Sequence, residues 1–217
     1  LSKVVDNKYD HMAYQRIKAK LEGFLEKPGK TLLNNQDNSL YSRYARSIAY
    51  YRAPMHKKSL VELDKLLSDY PKDPYFLELK GQILSENGYI KEATVMYKKA
   101  LKIIPNSPLI QLSLSSLLLE DDKNIKKIKE AKVLLDKVIK KEPDNILAWH
   151  LKGVTYMRLG YKVKANLAAA EEFLRRRDYA ISKNFANKVL NSTKKFSSEN
   201  LRASDILKLI NQIQEIS

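Results

Sequence analysis

The sequence contains no cysteine, few turn-forming residues and no long apolar run. The absence of cysteine excludes disulfides, thiol catalysis and cysteine-ligated zinc, and it leaves the redox compartment undecided. Six glycines and seven prolines among 217 residues leave little room for disorder or for a turn-rich all-β fold. The most apolar stretch, residues 109–119, is interrupted by Gln111 and by serines. No stretch therefore reaches the roughly 18 apolar residues of a membrane span.

No secretory signal is visible at the start of the sequence. A start at Leu1 rather than at methionine suggests a fragment or a processed chain.

The charge of the chain is strongly unbalanced, with a formal net charge of +15. Such an excess invites a nucleic-acid interpretation. However, the chain has 31 lysines and only nine arginines, and bidentate recognition of bases and phosphates favours arginine. The composition therefore disfavours nucleic acid as a partner.

Catalytic and metal-binding motifs are missing from the sequence. None of the three histidines, His11, His56 and His150, is followed by glutamate, and no two of them have the i, i+4 spacing of a helical zinc site. The sequence also lacks G-x-S-x-G, P-loop and dinucleotide-binding glycine patterns. We therefore expect this chain to be no enzyme and to hold no cofactor or metal.

Two stretches of the chain repeat each other position by position, with a constant offset in residue number. The repeated residues are Pro71, Leu79, Lys80, Gly81, Gly88, Tyr89 and Ala93 in the first stretch and Pro143, Leu151, Lys152, Gly153, Gly160, Tyr161 and Ala165 in the second. Pro105 lies nearly midway between Pro71 and Pro143, so the offset consists of two nearly equal parts. Each part matches the period of tetratricopeptide repeats, about 34 residues, if the second part contains a short insertion.

The repeat pattern predicts an all-α tetratricopeptide-repeat (TPR) helical solenoid of about four repeats and roughly ten helices. Residues 1–38 would form an N-terminal helix and a polar connector, residues 39–195 the solenoid, and residues 196–217 a capping helix. The N-terminal helix would end at Pro28-Gly29 and carry one apolar stripe. The stripe consists of Tyr14, Ile17, Leu21, Phe24 and Leu25.

A lysine-rich segment, residues 123–141, permits two interpretations. The lysines could form a patch for an anionic partner. Alternatively, Ile128, Val133, Leu134, Leu135 and Val138 face inward and the lysines coat the solvent side of an amphipathic helix. The second interpretation is favoured, because a charge run on such a helix is usually a solvated face.

The best functional signal is the groove of the predicted solenoid, because the first helix of each pair lines the concave face in this repeat class. The outward positions are Tyr41, Tyr44, Ile48 and Tyr51 in the first repeat, Tyr75, Glu78, Gln82 and Ser85 in the second, Leu109, Leu112, Ser116 and Leu119 in the third (to within one residue), and Leu147, His150, Val154 and Met157 in the fourth. Large exposed apolar patches mark interaction sites. Either the groove binds a segment of another protein, or the N-terminal or last helices of the chain fill it.

Several segments resemble the C-terminal repeat region of BepA-like envelope zinc metalloproteases. They are residues 21–25 (LEGFL), 31–32 (TL), 43–52 (RYARSIAYYR), 73–84 (DPYFLELKGQIL) and 168–173 (AAAEEF). In that family an HEXXH peptidase domain precedes a TPR domain in one polypeptide. The resemblance implies a periplasmic location and a role in the quality control of outer-membrane proteins. It places zinc and catalysis in a protease domain that this chain does not contain.

The pattern and the resemblance together predict a non-catalytic protein–protein interaction domain of an envelope zinc metalloprotease. Its partners would be protein or peptide segments, the protease domain of the same polypeptide and the outer-membrane assembly machinery. The alternative is a free-standing TPR adaptor that binds acidic proteins or nucleic acid through its lysines. A steep salt dependence of binding would favour the alternative.

Overall fold

The computed structural model describes residues 7–216, and it describes side chains from residue 11 to residue 215. Over this range the chain forms two compact units that meet in sequence between Pro105 and Asn106. The first unit contains α1 (Asn7–Leu25), α2 (Pro28–Asn34), α3 (Leu40–Arg52), α4 (His56–Asp69), α5 (Pro74–Glu86) and α6 (Ile90–Ile103). The second unit contains α7 (Pro108–Leu118), α8 (Ile125–Lys141), α9 (Ile146–Arg158), α10 (Lys162–Arg175), α11 (Tyr179–Asn191) and α12 (Ser198–Ile216).

The predicted all-α TPR fold is confirmed. Residues 7–216 form twelve helices, where roughly ten were predicted, and no strand. The sequence pattern does not predict the short helix α2, because Pro28-Gly29 indicates only the end of α1. Pro28 instead lies in the first turn of α2. Backbone N–H groups in the first turn have no acceptor within the helix, so a proline loses no hydrogen bond there. The boundary at Pro105 falls inside the predicted solenoid, residues 39–195, and the three predicted segments remain a prediction.

The ends of the helices follow from local chemistry. Asp73 begins α5 by accepting hydrogen bonds from the backbone N–H groups of Tyr75 and Phe76 at 3.0 and 3.3 Å, which satisfies donors that lack an acceptor inside the helix. Gly88 and Gly160 follow the first helix of the second and fourth repeats with φ of +79° and +77°. Only glycine adopts this left-handed backbone without strain, which explains why glycine recurs there.

The second helix of each repeat buries a short stripe of small and large side chains. In α6 the buried residues are Ala93, Tyr97 and Ala100, and in α8 they are Ile128, Ala131, Leu135 and Val138. The prediction that Val133 faces inward is wrong, since this side chain is 53% exposed. Val133 lies two residues from both Ala131 and Leu135, on the opposite side of the helix.

The second unit ends in α12, which packs on α10 and α11. Ala203, Ile206 and Ile210 of α12 are buried in one cluster with Ala186 and Val189 of α11. The face of α11 that carries Ala186 and Val189 is thus covered, as a C-terminal cap of a repeat array requires.

The segment that joins α2 to α3 is fixed by one buried guanidinium. Arg46 of α3 donates to the backbone oxygens of Asn35 and Asp37 at 2.7 and 2.6 Å, and it pairs with Glu62 of α4 at 3.0 Å. Carbonyl groups that no helix satisfies therefore obtain a charged donor.

The first helix packs against α3 through its smallest residues. Ala19 is fully buried, and a Cβ atom at Gly23 would lie 2.7 Å from Cβ of Ile48. The predicted apolar stripe of α1 faces largely outward instead. Its members Tyr14, Ile17, Leu21 and Leu25 are each more than half exposed, and only Phe24 packs against the core.

We expect Gly23→Ala to lower the free energy of unfolding by about 1–3 kcal/mol, the usual penalty for overpacking. The new methyl group would push α1 away from Ile48, and this loss outweighs the helix propensity that alanine gains. Gly29→Ala is the matched control, because a Cβ atom added at Gly29 would meet no atom within 4 Å. Urea unfolding followed by circular dichroism measures both variants. An unchanged midpoint for Gly23→Ala would mean that α1 shifts without loss.

Candidate functional site

Two of the groove residues predicted in the first repeat lie under α1. Tyr44 and Ile48 of α3 are 1% and 0% exposed, so the prediction that these two residues belong to an accessible binding surface is wrong. They belong to a buried cluster with Ala19 of α1 and Phe76 of α5. The rings of Tyr44 and Phe76 meet edge to face, with centroids 4.8 Å apart. Of the two predicted alternatives for the groove, filling by the N-terminal helix describes the first unit.

Polar contacts fasten α1 along this groove. Arg16 pairs with Asp73, and its guanidinium lies over the Tyr75 ring at 4.6 Å from the centroid. Lys20 approaches Glu78 at 3.9 Å. Burial raises the pKa of Glu78, and the charge of Lys20 opposes that rise. Each of these two pairs therefore joins a basic residue of α1 to an acidic residue in or just before α5.

The C-terminal end of α1 is held by α3. Arg52 donates to the backbone oxygens of Gly23 and Glu26, and a cation at the end of a helix complements its dipole. Tyr41 donates its hydroxyl to Glu22 of α1. Burial and the nearby Glu22 carboxylate raise the pKa of Tyr41 to about 12, so this phenol remains a donor throughout the neutral range.

Two further groove residues of the first unit, Tyr51 and Gln82, form a separate polar group with Glu86. The amide of Gln82 donates to the Tyr51 hydroxyl at 2.9 Å and to Glu86 at 3.0 Å. Tyr51 in turn donates to Glu86 at 2.9 Å. This group joins α3 to α5, and its donors and acceptors satisfy one another.

The corresponding surface of the second unit is not covered in this way. α7 packs on α8 and α9, and α9 also packs on α10. On α7 and α9, Leu109, Leu147 and Met157 are each more than half exposed. We call this surface the open face. It comprises Leu109, Leu112, Ser116, Leu147, His150, Val154 and Met157.

Two of the open-face residues, Leu112 and Val154, are partly buried, while Ser116 and His150 are exposed. The prediction that Leu119 also lines this groove is wrong, because Leu119 is 5% exposed. Leu119 follows α7, and its carbonyl oxygen accepts a hydrogen bond from Arg158 of α9. This hydrogen bond therefore joins the C-terminal ends of α7 and α9 beside the open face.

The two units differ in charge at matched positions of this surface. Asp73 and Glu78, which meet Arg16 and Lys20 of α1, correspond to Asn145 and His150 in the second copy of the repeated stretch. The Asn145 side chain accepts from the N–H of Ala148 at 2.9 Å. His150 Nδ1 lies 3.1 Å from a carboxylate oxygen of Glu172. The side chains at these two positions are thus an amide and an imidazole, in place of the two carboxylates of the first unit.

The part of the chain that the structure describes shows neither a metal site nor a membrane span. Within that part, no three histidine, cysteine, aspartate or glutamate side chains are grouped as metal ligands would be. None of the described helices combines the length and the apolarity that crossing a bilayer requires.

Helix pairs that recur with the TPR period, with an apolar face on the first helix of each pair, define a TPR fold. A fragment of MamA (41-end) from Desulfovibrio magneticus RS-1 is similar, with a TM-score of 0.59 and 18% identity over 81% of this chain and 94% of that one. A second MamA crystal structure has a TM-score of 0.58 and 15% identity over 78% of this chain and 94% of the other. At these identities the likeness establishes the fold alone.

No protein-family profile matches the chain. Pre-mRNA-splicing factor 6 of Saccharomyces cerevisiae is 28% identical over 134 residues, which are 61% of this chain and 14% of that protein. The chain thus matches about a seventh of the length of this curated relative.

We expect Tyr44→Ala to lower the free energy of unfolding by about 3–5 kcal/mol, the range for truncating a large buried aromatic side chain. The change empties a site between α1, α3 and α5, where Tyr44 packs with Ala19 and Phe76. Met157→Ala, on the open face, should alter stability by less than about 0.5 kcal/mol. Urea unfolding of both variants measures the difference. Equal stabilities would contradict the burial of Tyr44 beneath α1.

Proposed function

We propose that this chain is a non-catalytic interaction domain whose open face binds an amphipathic helix of a partner protein. The observation that carries the proposal is the position of α1 in the first unit. There, a helix of the chain itself lies against α3 and buries Tyr44 and Ile48. The second unit presents the matched surface on α7 and α9 with its apolar side chains in solvent.

The occupied groove indicates the form of the ligand. α1 lies along its groove as one continuous helix, Asn7–Leu25, and it approaches α3 through Ala19 and Gly23. A helix with a small-residue face would approach α7 and α9 equally closely. Burial of leucine and methionine side chains would then contribute roughly 25 cal/mol for each Å² of apolar area removed from water, before ordering costs.

The charges indicate which helices would bind. Basic residues suit the first unit, because Arg16 and Lys20 meet Asp73 and Glu78. In the second unit Asn145 and His150 stand at the matched positions, and Arg158 lies at the end of α9. A partner helix with acidic flanks would complement Arg158, whereas basic flanks would lack the two carboxylates that Arg16 and Lys20 meet in the first unit.

The wider role rests on the sequence resemblance. We propose that the chain belongs to an envelope zinc metalloprotease, that it resides in the periplasm, and that its open face recruits substrates or outer-membrane assembly partners. The TPR fold and the similarity of long ordered segments to BepA-like proteins support this assignment. The protease domain of the same polypeptide would then be a further partner of the repeats.

Two synthetic helical peptides test the binding mode. Both carry leucines at i, i+3, i+4 and i+7, and they differ only in having glutamate or lysine flanks. We expect the acidic peptide to bind at least about tenfold more tightly, a difference of about 1.4 kcal/mol. Leu147→Ser combined with Met157→Ser should weaken its binding by about tenfold or more. Fluorescence anisotropy at physiological salt gives the dissociation constants.

The matched control for these variants is Val133→Ser on α8, because Val133 is 53% exposed and lies outside the open face. It should leave peptide affinity unchanged. Binding that ignores the open-face variants and falls steeply with salt would instead favour the lysine-rich surface as the binding site. A dimer that dissociates on Leu147→Ser would identify a second copy of the chain as the occupant.

The reading frame that encodes this chain tests the proposed parent protein. An in-frame HEXXH stretch upstream of the repeats would support the protease assignment. Zinc-dependent proteolysis by the complete protein should then respond to Leu147→Ser through the KM for a protein substrate. A reading frame without such a motif would contradict the protease assignment. It would not affect the proposal that the open face binds a helix.

A further inference from the structure

One side of α8 carries lysines that have no acidic partner. The residues on this side recur at intervals of three and four, so they share one face of the helix. They are Lys126, Lys129, Val133, Lys137 and Lys140, and all five are exposed. We call them the lysine face. In the part of the chain that the structure describes, none of its four lysines forms an ion pair.

Two carboxylates of the same segment are already engaged by other lysines. Asp121 binds Lys127 at 2.9 Å, and Asp136 binds Lys132 at 3.0 Å. These pairs neutralise the charge beside the lysine face and leave its own ammonium groups unbalanced. The unbalanced charge extends over about 21 Å, the rise of the helix between the first and the last lysine of the face.

The turn between α11 and α12 exposes an aromatic ring next to two further lysines. Phe196 is 81% exposed, more than any other large apolar side chain in residues 11–215, and its φ is +67°. A bulky residue adopts this left-handed backbone only at a cost, and proteins tend to keep such costs at functional positions. Lys194 and Lys195 precede the ring and are also exposed.

Hydrogen bonds fix this turn to both helices. The backbone N–H of Ser197 donates to the carbonyl oxygen of Lys194 at 3.2 Å and closes the turn. The hydroxyl of Thr193 donates to the backbone oxygen of Val189 in α11 at 2.7 Å and accepts from the amide of Asn200 in α12 at 3.1 Å. The turn that presents the ring is therefore ordered before any ligand binds, which lowers the entropic cost of binding.

The turn lies beside α8 in the second unit. Ser198 and Glu199 follow the turn, and they line a cavity of about 320 Å³ together with Asp136 of α8 and Lys152 of α9. Lys164 of α10 approaches Glu199 at 3.9 Å. The lysine face and the exposed ring thus belong to neighbouring elements of one unit.

We propose that this surface of the second unit docks on an anionic lipid bilayer. The lysine face, Lys194 and Lys195 lie among the head groups, and the Phe196 ring enters the boundary between head groups and acyl chains. Clusters of four to eight basic residues on an amphipathic helix attract anionic lipids. An inserted aromatic side chain adds buried apolar area to this attraction.

Two features favour a lipid surface over nucleic acid. Every cation of the surface is a lysine, which acts as a point charge and lacks the bidentate geometry with which arginine recognises phosphate and bases. In addition, Val133 lies in the middle of the lysine face and is 53% exposed. A bilayer boundary accepts such an apolar side chain, whereas a phosphate backbone offers it no contact.

Vesicles of two compositions test the proposal on the complete chain. One set contains equal parts of phosphatidylglycerol and phosphatidylcholine, and the other contains phosphatidylcholine alone. We expect the chain to co-sediment with the anionic vesicles at least about tenfold more strongly at physiological salt, and this binding should weaken as salt is added. Lys129→Gln combined with Lys137→Gln should lower the partition coefficient by about tenfold or more.

The matched control is Lys27→Gln combined with Lys57→Gln, which removes the same charge from exposed positions of the first unit. It should lower the partition coefficient by less than about twofold, because physiological salt screens charges that lie far from the lipid surface. Circular dichroism should show unchanged helicity for both double variants, since only exposed side chains are altered. Equal losses for the two double variants would overturn the assignment of the lysine face.

Phe196→Trp reports whether the ring is inserted. On anionic vesicles the emission of the new tryptophan should shift to shorter wavelength and be quenched by brominated acyl chains. The parent chain, whose single tryptophan is Trp149, provides the reference spectrum. An unchanged emission on vesicles that bind the chain would contradict insertion. A chain that ignores the anionic vesicles would overturn the whole proposal, and binding of a single-stranded oligonucleotide through the same lysines would then identify nucleic acid as the ligand.

Discussion

The close contact between α1 and α3 decides what the first unit can present to other molecules. Gly23 leaves room for Ile48, and Ala19 is buried in the same cluster, so a helix occupies the groove in which a partner would otherwise lie. The ion pairs of Arg16 and Lys20 then follow from this placement. A repeat surface suited to binding has thereby become part of a core, and the accessible version of the same surface is found in the second unit.

The repeat architecture was predictable because its signals are local. Glycine recurs where the backbone needs positive φ, as at Gly88 and Gly160, and proline recurs where helices end or begin. The position of α1 was not predictable in the same way. Counting hydrophobic residues favours the stripe that contains Tyr14 and Leu21, whereas close packing selects the small face of Ala19 and Gly23. Hydropathy measures the preference for burial and carries no information on how closely two helix axes approach.

For the same reason, only part of the candidate site was predictable from the sequence. Repeat spacing assigns Leu147, His150 and Met157 to one face of α9, because that assignment depends only on the helix period. Repeat spacing does not predict that Tyr44 and Ile48 are covered, because the helix that covers them, α1, lies outside the repeats. Lys80 and Lys152 stand in identical tripeptides, Leu-Lys-Gly. Their environments differ because α10 and α12 bring Lys164 and Glu199 to one of them.

The order of the helices along the chain has a consequence for folding during synthesis. Arg16 and Asp73 are 57 residues apart. At translation rates of about 5–20 residues per second, α5 would therefore leave the ribosome about 3 to 11 s after α1. α3 emerges earlier and gives α1 its first surface. The first unit can then complete its groove before the second unit is made. A nascent chain would therefore expose the grooves of its two units at different times, which limits pairing between the wrong helices.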